Sequence, residues 1–230
     1  MNHINQILKN KAFSIDLANK EFFFKKYLNR LTQHHFKNSN SYYKILKLLG
    51  FSKNKTYDIN NLPFIPVRLF KEFDLISTKQ NKIVKILNSS GTSGQKPSKI
   101  FLDKENSLNQ VKVLNKIMNS ILGNERLPML IIDKNIKSIN RHNFNARVAA
   151  INGFSIFGKD HIFLLDNEGN IDYKILNSFL ERHKNRKFFI FGFTSFVYEN
   201  LIKKLKTKLI KSDFKNAVLL HGGGWKKLEN

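Results

Sequence analysis

Short apolar runs in the second half of the chain alternate with segments of helical character, and this alternation constrains the fold more than any other feature. The runs are Met129–Ile132, Ile162–Leu165, Phe188–Phe191 and Ala217–Leu220, and the helical segments between them are Ile171–His183 and Ser195–Leu209. A short, continuous apolar run is typical of a strand that is buried on both faces. Strands that alternate with helices predict an α/β fold, a layered and partly parallel sheet with flanking helices.

The first part of the chain has a different pattern, which predicts helices. Leu17, Phe24, Leu28 and Leu31 recur at helical spacing, and a second such group ends at Gly50. The polar stretch from His35 to Ser41 is expected to separate two helices. Residues 1–61 are therefore predicted to form a helical N-terminal region, and residues 62–230 the α/β core.

Between these regions the sequence predicts a connector and then a strand that leads into a loop. Pro63 and Pro66 forbid a regular helix or a central strand, so an extended, docked connector is expected, with a helical turn at residues 68–73. Residues 83–87 are predicted to form a buried strand. A further strand at residues 100–102 and a helix at Lys104–Leu122 are expected to follow.

The loop after that strand has the composition of an anion site. Gly91 and Gly94 permit positive φ angles and close approach of the backbone to a phosphate. Hydroxyl and ammonium donors surround them: Ser89, Ser90, Thr92, Ser93, Ser98, Lys96 and Lys99. The spacing is neither that of a Walker A loop nor G-x-G-x-x-G. On composition alone, a Ser/Gly-rich surface turn explains the segment as well as a phosphate site does.

Charge and cysteine content narrow the function classes. There are 40 basic and 17 acidic residues, a net charge of +23. A basic face for nucleic acid or an anionic membrane is one interpretation. Solvated surface lysine is the preferred one, because the lysines are spread along the whole chain and no nucleic-acid motif is present; we therefore expect no nucleic-acid partner.

The chain has no cysteine, hence no thiolate metal site, and no apolar run of about 18 residues that would span a membrane. A cytoplasmic location is the default expectation.

Five stretches, in order along the chain, resemble the LuxE-type acyl-protein synthetase family within the adenylate-forming, acyl-CoA synthetase-like superfamily. They are residues 62–71, residues 89–99 with Ser-Ser-Gly-Thr-Ser-Gly, residues 127–133, Phe-Gly-Phe-Thr at 191–194, and His-Gly-Gly-Gly-Trp-Lys-Lys-Leu at 221–228. The resemblance covers about residues 15–229. It implies the α/β core of the N-terminal domain of an adenylate-forming enzyme.

The resemblance also implies a reaction. A carboxylic acid, in this family a fatty acid, attacks ATP with Mg²⁺ as cofactor, and the acyl-adenylate passes its acyl group to a protein thiol. Such an enzyme is an acid–thiol ligase, known from bioluminescence and from polysaccharide gene clusters. The implied partners are an acyl-reductase or an acyl-carrier protein.

Site residues follow from the matched motifs. Residues 89–99 would hold the β- and γ-phosphates, with Thr92 and Lys99 in the catalytic role. The triplet Gly222, Gly223 and Gly224 would lie against adenine. The wall of the acyl pocket would include Phe191, Gly192, Phe193 and Thr194, joined by His221 and Trp225. Alternatives remain: residues 191–194 as the end of a core strand with Thr194 as a helix N-cap, Trp225 as a packing residue and His221 as a structural histidine.

Two carboxylates and the chain length add further expectations. Asp133 and Asp166 each follow an apolar run, where a turn-forming role is preferred to a metal site, and no metal ligands are assigned. The chain is shorter than members of the family, so the adenylation core is expected to be incomplete and the acyl-accepting cysteine to lie elsewhere. A catalytically incomplete fragment that acts as a binding module for an acyl-reductase is therefore the alternative function.

Overall fold

The protein, described here from a computed structural model, is defined for residue 5 and residues 7–89, 96–135, 146–205 and 214–225. It divides into two compact units, Met1–Ile117 and Met118–Asn230, which are described separately. Compactness alone defines these units, so the functional boundary predicted after residue 61 stays a prediction. No helix within the described ranges is long and apolar enough to cross a membrane.

The first unit begins with two packed helices, α1 (Leu17–Asn38) and α2 (Asn40–Leu48). Asp16 caps α1 by accepting a hydrogen bond from the Asn19 N–H, at 2.9 Å. Ser39 both ends α1, by donating its N–H to the His35 carbonyl, and caps α2. The predicted break at His35–Ser41 is therefore too long, since only Ser39 separates the two helices. A single residue can do so because the Ser39 hydroxyl accepts a hydrogen bond from a free amide at the start of α2.

The proline segment after α2 is extended, as predicted, and is followed by a helical turn, α3 (Leu69–Glu72). The expectation that this connector docks is wrong at Phe64, whose side chain is 86% exposed. Asn29 instead holds the chain just before the connector. Its side chain accepts from the Tyr57 N–H at 2.8 Å and donates to the Tyr57 carbonyl at 2.7 Å.

Next come two antiparallel strands, β1 (Ile83–Asn88) and β2 (Lys99–Asp103), which form a two-stranded sheet of their own. The prediction that β1 is buried is wrong, because Val84 and Ile86 are 59% and 50% exposed. A ribbon with one partner strand covers little of its own surface. The helix predicted at Lys104–Leu122 is confirmed as α4 (Lys104–Leu122), and the boundary between the two units falls within it.

The second unit is the predicted α/β sheet. Its elements, in chain order, are β3 (Leu127–Lys134), α5 (Ala146–Ser155), β4 (Gly158–Leu165), α6 (Tyr173–His183), β5 (Phe188–Phe193), α7 (Thr194–Val197) and β6 (Ala217–Gly222). The strands lie in the order β4-β3-β5-β6 and every pairing is parallel. After α7 the chain continues helically to Leu205, and the rest of the predicted helix, to Leu209, lies outside the described residues.

The core of this unit lies where the two central strands meet α6. Leu130 and Ile132 of β3 and Phe188 and Ile190 of β5 are almost fully buried, and they pack with Leu176 and Leu180, among others. Each fully buried side chain of this size contributes about 1.5–3 kcal/mol to the stability of the folded state. The continuous apolar runs seen in the sequence are required here because helices cover both faces of a parallel sheet.

The order of the strands also locates a crevice. From β3 the chain moves outward to β4 on one side, and from β5 it moves outward to β6 on the other. Where two neighbouring parallel strands send their connections in opposite directions, the two connections diverge outside the carboxyl ends of these strands. The carboxyl ends of β3 and β5 form such a point, and ligands of open α/β sheets bind at such points.

A tight contact between β5 and α7 gives a test of this packing. A Cβ added at Gly192 would lie 2.8 Å from Val197 Cγ2 and 2.9 Å from Ile132 Cβ. We therefore expect Gly192→Ala to lower the free energy of unfolding by about 1–3 kcal/mol, measured by urea denaturation. The matched control is Gly153→Ala in α5, where a Cβ meets nothing within 4 Å. That change should be neutral or stabilising by up to about 1 kcal/mol. Equal effects of the two variants would contradict this packing.

Candidate functional site

The predicted phosphate loop is the connection of the β1–β2 hairpin, and its base is closed by two hydrogen bonds. The Ser89 N–H donates to the Ser98 carbonyl at 2.9 Å, and the Ser98 N–H donates to Ser89 Oγ at 2.8 Å. The Ser89 hydroxyl oxygen therefore holds the neck of the loop. The loop residues Ser90, Gly91, Thr92, Ser93 and Gly94 lie outside the described residues. Their role in holding phosphates stays a prediction.

Two lysines lie at the second strand of this hairpin. Lys96 is exposed. Lys99 Nζ lies 3.4 Å from Asp74 Oδ1, and both side chains are about half exposed. A solvated ion pair of this kind contributes about 0–1 kcal/mol. Lys99 can therefore exchange Asp74 for another anion at little cost in stability.

In the second unit, the predicted residues at the ends of β5 and β6 come together. Gly192 pairs with His221 and Phe193 pairs with Gly222 in the parallel register. Thr194 directly follows β5, so its side chain meets the loop that leaves β6. Phe191 and Gly192 are buried, whereas Phe193 and Thr194 are partly exposed. Phe191 packs on Phe154, with ring centroids 4.6 Å apart, so the accessible residues of the Phe-Gly-Phe-Thr motif are Phe193 and Thr194.

The Thr194 hydroxyl is the link between the two strand ends. Its Oγ1 lies 2.8 Å from the Gly223 carbonyl, 3.1 Å from the Gly222 carbonyl and 3.0 Å from His221 Nδ1. The alternative that Thr194 caps a helix is wrong. Phe193 occupies the N-cap position of α7, and there is no side-chain cap bond. Thr194 ties β5 to the glycine loop after β6 instead.

The hydrogen-bond donors and acceptors around Thr194 determine the tautomer of His221. Backbone carbonyls only accept, so the Thr194 hydroxyl donates to Gly223 or Gly222. Its oxygen then accepts from His221 Nδ1–H. This arrangement leaves Nε2 with a lone pair when the imidazole is neutral. His221 is exposed, so Nε2 can meet a ligand. Both alternatives for His221, structural and ligand-facing, are compatible with this arrangement.

The glycine triplet has two distinct roles. Gly223 has φ +82°, and a Cβ there would lie 2.9 Å from Phe193 Cδ1, so only glycine fits without strain. A Cβ at Gly222 or Gly224 would meet nothing within 4 Å. Gly223 therefore shapes the loop, while its two neighbours leave open space beside the backbone. Trp225, next in the chain, packs edge-on against Tyr198 at 5.1 Å and remains 44% exposed.

The turn-forming role predicted for Asp133 is wrong, because Asp133 lies within β3 and forms a buried ion pair there. Asp133 is 2% exposed, and its Oδ2 lies 3.1 Å from Arg147 Nε. Its Oδ1 accepts from the Lys134 N–H at 2.7 Å. The Arg147 guanidinium also lies over the Phe196 ring, 4.8 Å from its centroid. Burial raises the pKa of Asp133, and the positive charge of Arg147 opposes that rise.

The remaining carboxylate, Asp166, is a turn residue, as preferred from the sequence. Its Oδ1 accepts N–H bonds from Glu168, Gly169 and Asn170 at 2.8–2.9 Å, and these bonds lower the pKa of Asp166. Within the described residues, no three His, Cys, Asp or Glu side chains are grouped so that they could hold a metal ion.

Comparisons with known proteins agree with this architecture. The family model described as acyl-protein synthetase, LuxE, matches residues 2–230. No curated protein sequence matches the chain. Among solved structures, a 2-hydroxyisobutyryl-CoA ligase in the postadenylation state, in complex with 2-HIB-AMP, is similar, with a TM-score of 0.60 and 14% identity. The match covers 91% of this chain and 44% of the ligase chain, so this chain spans less than half of its length. At that identity the likeness shows a shared fold.

The Asp133–Arg147 pair generates a pH-dependent prediction. In Arg147→Met the buried carboxylate loses its cation, so the pKa of Asp133 rises further. We expect a loss of about 1–3 kcal/mol in the free energy of unfolding at pH 7. That deficit should shrink as the pH falls through the raised pKa of Asp133, and the part that remains once Asp133 is protonated reports the lost contact of Arg147 with Phe196.

Urea denaturation from pH 3 to pH 7 measures this difference. Arg30→Met is the matched control, because Arg30 is an exposed arginine on α1. It should change stability by less than about 0.5 kcal/mol at every pH. A deficit in Arg147→Met that does not depend on pH would mean that Arg147 acts by packing alone.

Proposed function

The chain belongs to the acyl-protein synthetase family LuxE, and from that premise we propose that it activates a carboxylic acid with ATP as an acyl-adenylate. The observation that carries the proposal is the match of this family across residues 2–230. The fold shared with an adenylate-forming ligase supports it. So does the strand order, which reverses direction between β3 and β5, the position at which open α/β sheets bind their ligands.

The proposed reaction places little demand on side-chain acids and bases. The substrate carboxylate oxygen attacks the α-phosphorus of ATP, the bond from that phosphorus to the bridging oxygen breaks, and pyrophosphate leaves with the electron pair. A carboxylate is already ionised at neutral pH, so no general base is needed. The catalytic contribution is positioning and neutralisation of phosphate charge. Mg²⁺, when bound, would supply further charge neutralisation on the phosphate oxygens.

The residues available suit these tasks. Ser89 and Ser98 fix the base of the loop from which Thr92, Ser93 and the adjacent amides would donate to the triphosphate. Lys99 would neutralise phosphate charge, since its pairing with Asp74 is weak. In the second unit, the open space beside Gly222 and Gly224 would admit the flat adenine ring. Phe193, Thr194 and His221 would face the acyl group.

The finer description of the reaction is also part of the proposal. The acid would be a fatty acid and the acceptor a protein thiol, which would make the enzyme an acid–thiol ligase. Because this chain contains no cysteine, the thiol would belong to another protein or to a segment outside this sequence. An acyl-reductase or an acyl-carrier protein would receive the acyl group, in the cytoplasm.

Isotope exchange tests the proposal directly. The full chain, incubated with Mg·ATP, labelled pyrophosphate and tetradecanoate, should incorporate label into ATP only when the acid is present. Calorimetric titration with Mg·ATP in the absence of acid separates binding from turnover. Binding without exchange would favour the alternative of a catalytically incomplete binding module. Calorimetric silence at millimolar Mg·ATP would contradict the proposal.

The proposed role of Lys99 gives a variant test. Lys99→Met removes one charge-assisted contact to the triphosphate, so we expect the dissociation constant for Mg·ATP to rise about tenfold. Lys85→Met is the control, because Lys85 is an exposed lysine on the neighbouring strand β1. It should leave the dissociation constant within about twofold. An equal rise in both variants would mean that ATP responds to overall charge and not to Lys99.

A further inference from the structure

A large apolar groove lies within the first unit. It is formed by residues 7–15, one face of α1 and one face of α4, and is called here the α1–α4 groove. Its volume is about 770 Å³, within the usual range of about 300–1,000 Å³ for small-molecule sites. All of its lining residues belong to the first unit, so it shares none with the sheet edge described above.

The walls of the groove expose apolar side chains to solvent. Phe24 is 49% exposed, Leu28 39% and Leu31 49%, and all three lie on the same face of α1. Ile117 and Val113 of α4 form the opposite wall. Exposed apolar surface costs about 25 cal/mol per Å², so an apolar occupant would stabilise this face. A concave lining of this kind fits a flexible alkyl chain better than a flat polar ligand.

The charged residues of the groove all have the same sign. Lys11, Lys20 and Lys116 line it, and among the described residues no Asp or Glu does. Lys116 Nζ donates to the Leu8 carbonyl, which keeps this ammonium group beside the lining. Lys20 Nζ lies 5.7 Å from the centroid of the Phe24 ring, at the junction of the apolar wall and solvent. The charge of the site is therefore complementary to an anionic head group.

From these observations we propose that the α1–α4 groove binds a single-chain anionic amphiphile, with the alkyl chain against Phe24, Leu28 and Ile117 and the anionic head at Lys20 and Lys11. The proposal goes beyond the adenylation reaction, because it assigns a second binding site that requires no nucleotide. It commits to a monomeric amphiphile and not to a lipid bilayer, since the apolar residues line a concavity.

Calorimetric titration of the full chain without ATP tests the proposal. Sodium alkanoates from decanoate to tetradecanoate, kept below their critical micelle concentrations, should bind with saturation, and the binding that Lys20→Glu weakens and Lys26→Glu does not is assigned to the α1–α4 groove. Each added methylene should tighten binding about fourfold, until the chain exceeds the groove. Tetradecyltrimethylammonium, which has the same chain and the opposite head charge, should bind at least tenfold more weakly than tetradecanoate.

A pair of charge reversals on α1 gives the matched comparison. Lys20→Glu should weaken tetradecanoate binding by about 3- to 10-fold and strengthen binding of the ammonium amphiphile. Lys26→Glu makes the same charge change on the same helix, at an exposed residue that does not line the groove, and should change neither affinity. Both lysines are exposed, so folding should be retained, and circular dichroism checks this.

Three results would overturn the proposal. These are the absence of saturable alkanoate binding, an equal effect of Lys20→Glu and Lys26→Glu, and binding to phosphatidylglycerol vesicles without binding to monomeric alkanoate. Failure of the adenylation proposal is distinguishable, because Lys99→Met should weaken Mg·ATP binding and leave alkanoate binding unchanged.

Discussion

Parallel pairing of fully buried strands is the constraint on which the second unit depends. β3 lies between β4 and β5, and the side chains from Pro128 to Asp133 are all buried. A strand enclosed in this way needs a helical crossover on each side, since parallel neighbours cannot be joined by a tight turn. The crossovers oblige all four carboxyl ends to meet at one edge. The position of the candidate site is therefore a consequence of how the core is built.

Two different interactions hold that edge in shape. At β5 and β6 a single hydroxyl, that of Thr194, joins a histidine and two glycine carbonyls, so the shape of the loop is set by backbone groups. At β3 the Asp133 carboxylate is held by Arg147, whose guanidinium also packs on Phe196. A buried ion pair gains little net stability because both charges are desolvated. The pair does fix the orientation of the Asp133 carboxylate, because loss of Arg147 would leave that buried charge without a partner.

Local patterns predicted much of this fold from the sequence, and non-local contacts account for the rest. The apolar runs at Met129–Ile132 and Phe188–Phe191 identified their strands, because hydrophobic periodicity reports burial directly. The same pattern wrongly predicted that Val84 and Ile86 are buried. An apolar run does not show how many neighbouring strands or helices will cover the strand. The roles of Thr194 and Arg147 depend on partners 27 and 14 residues away, which no local pattern contains. The family resemblance identified the motifs but not these contacts.

In the first unit, some of the excess lysines border an apolar groove and are not simply part of a solvated basic surface. Along the sequence, lysines spread over the whole chain indicate a solvated basic surface, and for most of them the exposed positions agree. At the α1–α4 groove, however, the lysines border exposed phenylalanine and leucine side chains, and no described acidic residue balances them. Lysine stems pack on apolar surface while their ammonium groups stay in water. A surface of that kind is matched by ligands that are themselves half apolar and half anionic, so it selects by shape and charge together.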